Sequence, residues 1–526
     1  MRVRLRERAT CSLPVAVPRF KWLAVCLLLS ASPSKAADAT AGWTEVRTEH
    51  ITLKSDLGKE ESARAALAVE RTRTALLAAA WPGAKLLQPE RVDVVVFARQ
   101  MDFLHYFGAN LIGLFFYDQY PPIAFLFGPP EKWEKRATVA MEETTSVLKH
   151  EMSHHLAAYF YRRQPKWFSE GLAQYLETLR ISEDGKSATL GEVNLVAMAK
   201  YNRFPQNVAD VLAWSGKLEA KDVSQVLGLY GTSWLLVHWL NNVHPEEFAR
   251  YQTLLAKGID PDKAWKIVFP NLTNSELDIL LYQYVRTGEY HYFVVPIPPA
   301  EGTLSSRPMA PAEVHATRAR ASLAGAAMAV DGTALRAEAQ AELRAALADD
   351  PVDVGALRMS MAGISKPEER VALARRAAKA HPEDGLAWLT LAENLPTTPE
   401  AWDERVQAFQ KATALLPDNP VGFSHLAWMY LLKGEPQQAL PLALTAVRMA
   451  PWNPGMLDML ARVLAGLHRC SEAVGMEARA LDTLPERTGA EGHAEFAGRL
   501  TDFQKRCSEA VETPSTSSTT AAPAKP

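Results

Sequence analysis

The sequence predicts an α+β N-terminal domain followed by an all-α repeat solenoid. Three observations carry that reading. Short β-branched and aromatic runs flank a helical segment before residue 130, and residues 137–290 are mostly helical in pattern. Prolines then recur at 351, 382, 417, 451 and 485, the last three intervals being 35, 34 and 34 residues.

Residues 1–36 are set apart from the fold. Arg2, Arg4, Arg6, Arg8, Arg19 and Lys21 form a basic lead, "WLAVCLLL" (Trp22–Leu29) is a short apolar run, and "SASPSKAADA" offers small residues for cleavage after Ala36 or Ala39. That order is the pattern of a secretory signal peptide, and the run is short of the ~20 residues that span a bilayer. The expected location is periplasmic or secreted, with no integral membrane segment after cleavage. Without residues 1–36 the chain has 50 basic and 59 acidic side chains. An acidic chain without a basic stripe argues against nucleic-acid binding. Two of the four cysteines, Cys470 and Cys507, lie beyond the leader, and the sequence leaves their pairing open.

From residue 43 onward, "HITLKSD" (His50–Asp56) alternates as a half-buried strand does, and "VDVVVFA" (Val92–Ala98) and "IAFLFG" (Ile123–Gly128) read as buried strands. Between the first two, Glu60–Ala80 is rich in Ala, Glu, Arg and Leu and reads as a helix.

The chemistry is concentrated in "HEMSHH" (His150–His155). At about 100° per residue, His150 and His154 lie about 40° apart on one helix face, while His155 sits about 140° from His150. His150 and His154 can therefore meet one cation, and His155 flanks the site or faces a neighbouring helix. Glu151 lies beside that face, where a carboxylate can act on a coordinated water without itself being a ligand. A catalytic zinc ion needs a third protein ligand and an open position. A glycine and a third histidine spaced at three-residue steps after His154 would supply one, but Ala157 and Phe160 stand there. "PKWFSEGLAQYLE" (Pro165–Glu177) supplies the other common solution, Glu170 on a second helix that returns beside the first, with Gly171 permitting close packing.

The combination His150-Glu151-x-x-His154 with Trp167-x-x-Glu170-Gly171-x-Ala173-x-Tyr175 resembles the gluzincin clan of zinc peptidases, in particular the peptidase-MA-like superfamily. The match is specific over about 30 residues, and the domain it implies covers roughly 43–295. The resemblance implies a zincin-like fold, Zn2+ held by His150, His154 and Glu170, and Glu151 as general base for attack of zinc-bound water on a peptide bond. It further implies an endopeptidase acting on protein or peptide substrates. The spacing to Glu170 is shorter than in aminopeptidase-N-like enzymes, and "AMEE" (Ala140–Glu143) lies too close to His150 to recognise an amine, so an aminopeptidase is not implied. Tyr230, in "GLYGTSWLLVHWL", is the candidate oxyanion donor. Tyr230, Trp234 and His238 fit a core stripe at i, i+4, i+8 equally well. His155, Gln174, Tyr175 and Glu177 are candidates to orient the ligands.

"PIPPAEGTLSSRPMAPAE" (Pro296–Glu313) reads as a connector. Beyond it, Phe423, Leu426, Ala427, Tyr430, Ala439, Ala443, Ala446 and Pro451 in one unit, and Leu457, Leu460, Ala461, Leu464, Ala473, Ala480 and Pro485 in the next, resemble tetratricopeptide repeats. A looser unit around Trp388, Leu391 and Ala392 precedes them, and a degenerate one starts near Ala337. Such a stack implies a groove for a protein partner. The organisation expected is 1–36 signal peptide, 37–295 metallopeptidase-like domain, 296–335 linker, 336–490 repeats, 491–512 C-terminal helix and 513–526 disordered tail. The alternative function is a repeat-based adaptor carrying a non-catalytic metallopeptidase-like domain.

Overall fold

The chain enters the fold as the antiparallel pair β1 (Thr44–Arg47) and β2 (Ile51–Ser55), then runs through α1 (Lys59–Ala80), β3 (Val92–Phe97), α2 (Gln100–Phe107), β4 (Gly113–Phe116) and β5 (Ile123–Phe127). This computed structural model describes residues 40–84, 91–108, 113–116, 121–133, 147–214, 223–299, 303–484 and 488–512. The expected signal peptide, the "AMEE" stretch and the C-terminal tail lie outside the described residues. Residues from Gly42 onward form one compact unit.

The three strands read from sequence pair in parallel, β2 with β3 and β3 with β5. β4 closes one edge antiparallel to β5, so the sheet is mixed. The unbroken apolar run of β3 follows from burial on both faces. Val92, Val94 and Val96 join the core under α1, whereas Val95 and Phe97 point to the opposite face with Phe103, Phe107 and Phe125.

The mostly helical middle begins with α3 (Val147–Phe160) and α4 (Lys166–Leu176). β6 (Arg180–Ile181) and β7 (Ser187–Leu190) follow, then α5 (Leu195–Arg203), α6 (Val208–Leu212), α7 (Val223–Val243), α8 (Pro245–Ala256), α9 (Pro261–Val268) and α10 (Asn274–Thr287). α7 is the central post of this layer, with Trp234 through Leu240 almost wholly buried.

The segment read as a linker, 296–335, is part of the fold. β8 (Phe293–Pro296) pairs with β7 to complete a second sheet, and β9 (Ser305–Pro308) adds an antiparallel edge to β1. α11 (Pro311–Met328) then covers the sheet face opposite α1 with Val314, Ala321 and Ala324. The prolines and serines that signal a connector here end β8 and β9 and start α11, where Pro311 occupies the first turn.

α11 pairs with α12 (Thr333–Asp349) as the first of a series of helical hairpins. The next are α13 (Val354–Ser360) with α14 (Pro367–Ala380) and α15 (Gly385–Asn394) with α16 (Pro399–Leu415). α17 (Pro420–Leu432) with α18 (Pro436–Met449) and α19 (Pro454–Gly466) with α20 (Cys470–Asp482) follow, and α21 (Ala490–Glu512) ends the described chain. The series of hairpins thus begins one helix before residue 336, at Pro311. Pro351, Pro382, Pro417 and Pro451 each stand two residues beyond the second helix of a hairpin, which explains the period. Cys470 carries a free thiol, and the Cys507 side chain lies outside the described residues.

The repeats dock on the N-terminal part. Trp452 packs against the rings of His155 and Tyr159 on α3, with centroids 5.0 and 4.7 Å away, and the Tyr159 hydroxyl donates to the Met449 carbonyl at 3.2 Å. His155 is thus a buried packing residue whose ring also meets Phe115 of β4, and burial pushes its pKa down to about 3. Removing the Trp452 ring by Trp452→Ala is expected to cost about 3 kcal/mol or more of stability in denaturant melts. A loss below about 1 kcal/mol would mean that this contact does not hold the repeats in place.

Candidate metal centre

α3 ends at Phe160 and α4 begins after Pro165, whose fixed φ suits the residue before the first turn. The turn between them is anchored by Tyr161, which accepts from Trp81 Nε1 at 3.0 Å and donates to Gln252 Oε1 at 2.7 Å. α4 then lies beside α3 with Glu170 opposite the two histidines.

Three ligand atoms converge. His154 Nε2 is 3.2 Å from His150 Nε2, and Glu170 Oε2 is 3.5 Å from His150 Nε2 and 3.4 Å from His154 Nε2. A tetrahedral zinc ion with nitrogen ligands at 2.0–2.1 Å requires ligand–ligand separations of about 3.3 Å. The triangle therefore fits such an ion without rearrangement, and its donor set of two imidazoles and one carboxylate suits zinc. Among the described residues these three are the group of His, Cys, Asp or Glu side chains with the proximity a metal requires.

The histidines are held from behind. His150 Nδ1–H donates to Glu177 Oε2 at 2.6 Å, and Glu177 Oε1 accepts from Asn194 Nδ2 at 2.5 Å. Asn194 is also the N-cap of α5, accepting from Ala197 N through its side-chain oxygen. His154 Nδ1 meets Ser169 Oγ at 3.0 Å. Both rings are therefore turned with Nε2 toward the triangle, as ligand orientation demands. Glu170 Oε1 pairs with Lys166 Nζ at 2.9 Å, one turn earlier on α4. Burial opposes the Glu170 carboxylate, but the charge of His154 and the hydrogen bonds from both histidines hold it well below the usual range. Burial likewise opposes the His150 imidazolium, yet its hydrogen bonds to Glu170 and Glu177 hold it well above its ordinary value.

Gly171 is confined by α7 rather than by α3. A Cβ there would lie 2.4 Å from the Ser233 carbonyl oxygen and 2.7 Å from Val237 Cγ2. Gln174 reinforces the contact by donating to the Tyr230 carbonyl at 2.9 Å and to the Glu170 carbonyl at 3.2 Å.

Glu151 is half-buried and has no hydrogen-bond or ion-pair partner among the described residues. Tyr230 lies on α7 with its ring edge-on to Trp214, centroids 5.2 Å apart, and Lys200 Nζ 5.6 Å over its face. His238 sits in the core, with Nε2–H donating to Gly191 O at 3.1 Å and Nδ1 accepting from the Tyr284 hydroxyl at 2.9 Å. Burial holds its pKa down near 4, so it is a neutral packing residue. Tyr175, almost fully buried against the His238 ring, belongs to that core as well. The sequence reading missed Ser169, Asn194, Lys166 and Lys200. Lys166 had a signal, its position four residues before Glu170, whereas Asn194 and Lys200 reach the site through folding alone.

A profile of a family described as a protein of unknown function, DUF1570, matches residues 144–260, the stretch from α3 through α8 that holds His150, Glu151, His154, Glu170, Glu177, Asn194, Lys200 and Tyr230. No curated protein matches the sequence. Among solved structures, a tetratricopeptide-repeat protein of Thermus thermophilus is 16% identical, with a TM-score of 0.30, covering 36% of this chain and 99% of that one. MamA of Desulfovibrio magneticus RS-1 is 16% identical, with a TM-score of 0.23, covering 30% and 93%. Yeast Tom70 is 13% identical, with a TM-score of 0.31, covering 72% and 70%.

Two outcomes are expected from this geometry. Gly171→Ala cannot place its methyl against the rigid Ser233 carbonyl, so α4 must shift, and zinc content after dialysis should fall together with the melting temperature. Normal zinc content in that variant would show that α4 tolerates the shift. Because His150 is held protonated above its ordinary pKa, a cation must displace that proton. Zinc binding should therefore release about one proton near neutral pH and weaken about tenfold per unit as pH falls through that range. Calorimetry in buffers of different ionisation enthalpy measures this directly, and a pH-independent affinity would refute it.

Proposed function

We propose that the chain is a zinc-dependent peptidase of the gluzincin type, exported by its N-terminal segment, with a repeat stack that binds protein. The observation that carries this reading is the triangle of His150 Nε2, His154 Nε2 and Glu170 Oε2 at tetrahedral spacing, with Glu151 on the same helix and its carboxylate unpartnered among the described residues. A divalent cation held there would supply Lewis acidity and make a water acidic near neutral pH.

The rest of the chemistry belongs to the chain's own residues. Glu151 accepts a proton from the attacking water and passes it to the departing amine as the peptide C–N bond breaks. Glu177 keeps the His150 proton on Nδ1, which leaves the Nε2 lone pair for the cation. Tyr230 is the candidate donor to the developing oxyanion.

A second reading is a repeat-based adaptor carrying a non-catalytic metallopeptidase-like domain. The series of hairpins from α11 to α20 favours it, because such stacks offer extended surfaces to partner proteins. One comparison separates the two. Wild type and Glu151→Gln are loaded with zinc and assayed on a broad peptide library. A fall in turnover of at least about a hundredfold with zinc retained supports the peptidase. Full activity in Glu151→Gln removes the proposed role of Glu151. Inactivity of both proteins, with partner capture intact, supports the adaptor.

A further inference from the structure

One cation beside the candidate metal centre makes no direct ion pair with any described residue. Lys200, on α5, is half-buried and has neither a hydrogen bond nor an ion pair to any of them. Its place is set by backbone packing rather than by chance. α5 lies against α7 where Gly231 leaves room, since a Cβ at Gly231 would meet Tyr201 N at 2.5 Å and the Lys200 carbonyl carbon at 3.0 Å. The ammonium then sits over the Tyr230 ring, the Tyr230 ring meets Trp214, and Trp214 lies under Lys166 Nζ at 5.9 Å. Lys166 in turn pairs with the ligand Glu170, and Asn194 at the start of α5 holds Glu177 against the ligand His150. Both ends of this chain of contacts are therefore tied to the triangle, so Lys200 borders the same site. Burial lowers its pKa, and the charges of Glu177 and Glu170 act on it in the opposite sense.

The charges point to the missing partner. Among the described residues of the site, the acidic side chains are Glu151, Glu170 and Glu177 and the basic ones Lys166 and Lys200. A bound divalent cation would turn the surplus positive, and Lys166 is already committed to Glu170. We propose that Lys200 binds a substrate carboxylate next to the bond that is cleaved, so that the preferred peptides carry an acidic side chain or a free C-terminus at that position. This rests on the peptidase reading for the word substrate, while binding itself can be measured without turnover.

The test uses the full chain as Glu151→Gln loaded with zinc, and three peptides on one neutral core. The first has a glutamate beside the central bond and an amidated C-terminus, the second has a free C-terminal carboxylate, and the third is neutral and amidated. Calorimetry should show one of the two carboxylate peptides binding about ten- to a hundredfold more tightly than the neutral one, and which of them does so identifies the source of the carboxylate. Adding Lys200→Met should bring that ratio to within about twofold, while Lys200→Arg should keep most of it. Zinc content and circular dichroism establish that each variant is folded and loaded. Equal affinities for all three peptides, no binding of any, or a preference that survives Lys200→Met would overturn the proposal. Failure of wild type to cleave any peptide would instead remove the peptidase reading, and the binding ratios would still judge Lys200.

Discussion

The contact between Gly171 and the Ser233 carbonyl sets the spacing of α4 and α7, and the candidate metal centre depends on that spacing. With a Cβ position only 2.4 Å from a backbone oxygen, nothing larger than hydrogen fits on α4 at this point. The glycine directly follows Glu170, so the same close approach fixes where the carboxylate emerges toward α3. Gln174, one helical turn beyond Glu170, bonds to the backbone of both helices and holds their register. Three ligand atoms within 4.8 Å of one another are the result of a helix pair seated against a rigid post.

Electrostatics places a second demand on the same region. Glu170 and Glu177 are both buried, and a buried carboxylate is tolerated only where charge and hydrogen bonds compensate for lost water. Here they are compensated twice over. His150 lies between them, bonded to Glu177 through one nitrogen and facing Glu170 with the other. Asn194 and Lys166 satisfy the outer oxygens. The result is a polar cluster in which each member orients the next, and Asn194 ties it to the start of α5.

The repeats are part of the architecture that supports the centre. α11 covers one face of the central sheet, and Trp452 from a later hairpin lies on α3 against His155, the residue next to the candidate ligand His154. One surface of the stack is therefore already occupied by the chain's own N-terminal part. Salt bridges from Arg91 to Asp418 and from Arg163 to Asp482 also join the repeats to the N-terminal part, but at the surface they add little beside the buried rings.

Much of the site was legible because helical geometry is local. The 3.6-residue period alone pairs His150 with His154 and sends His155 elsewhere, and the structure places His155 in a packed aromatic cluster. Glu170 was legible because a two-helix hairpin of short loop brings a residue sixteen positions on to the same level. Strands β2, β3 and β5 and the hairpin period were legible from apolar runs and from prolines that cannot continue a helix. The connector was misread because proline and serine mark the ends of short edge strands as readily as they mark a loop, and strand pairing is not local. Asn194, Lys200 and Trp452 could not be placed at all, since their partners lie far away in sequence and are chosen by which helices pack together. The sequence by itself determined which residues could bind a metal, because side-chain chemistry and helical period act over a few residues. Only the tertiary structure decided what orients and surrounds them, because those contacts depend on long-range packing.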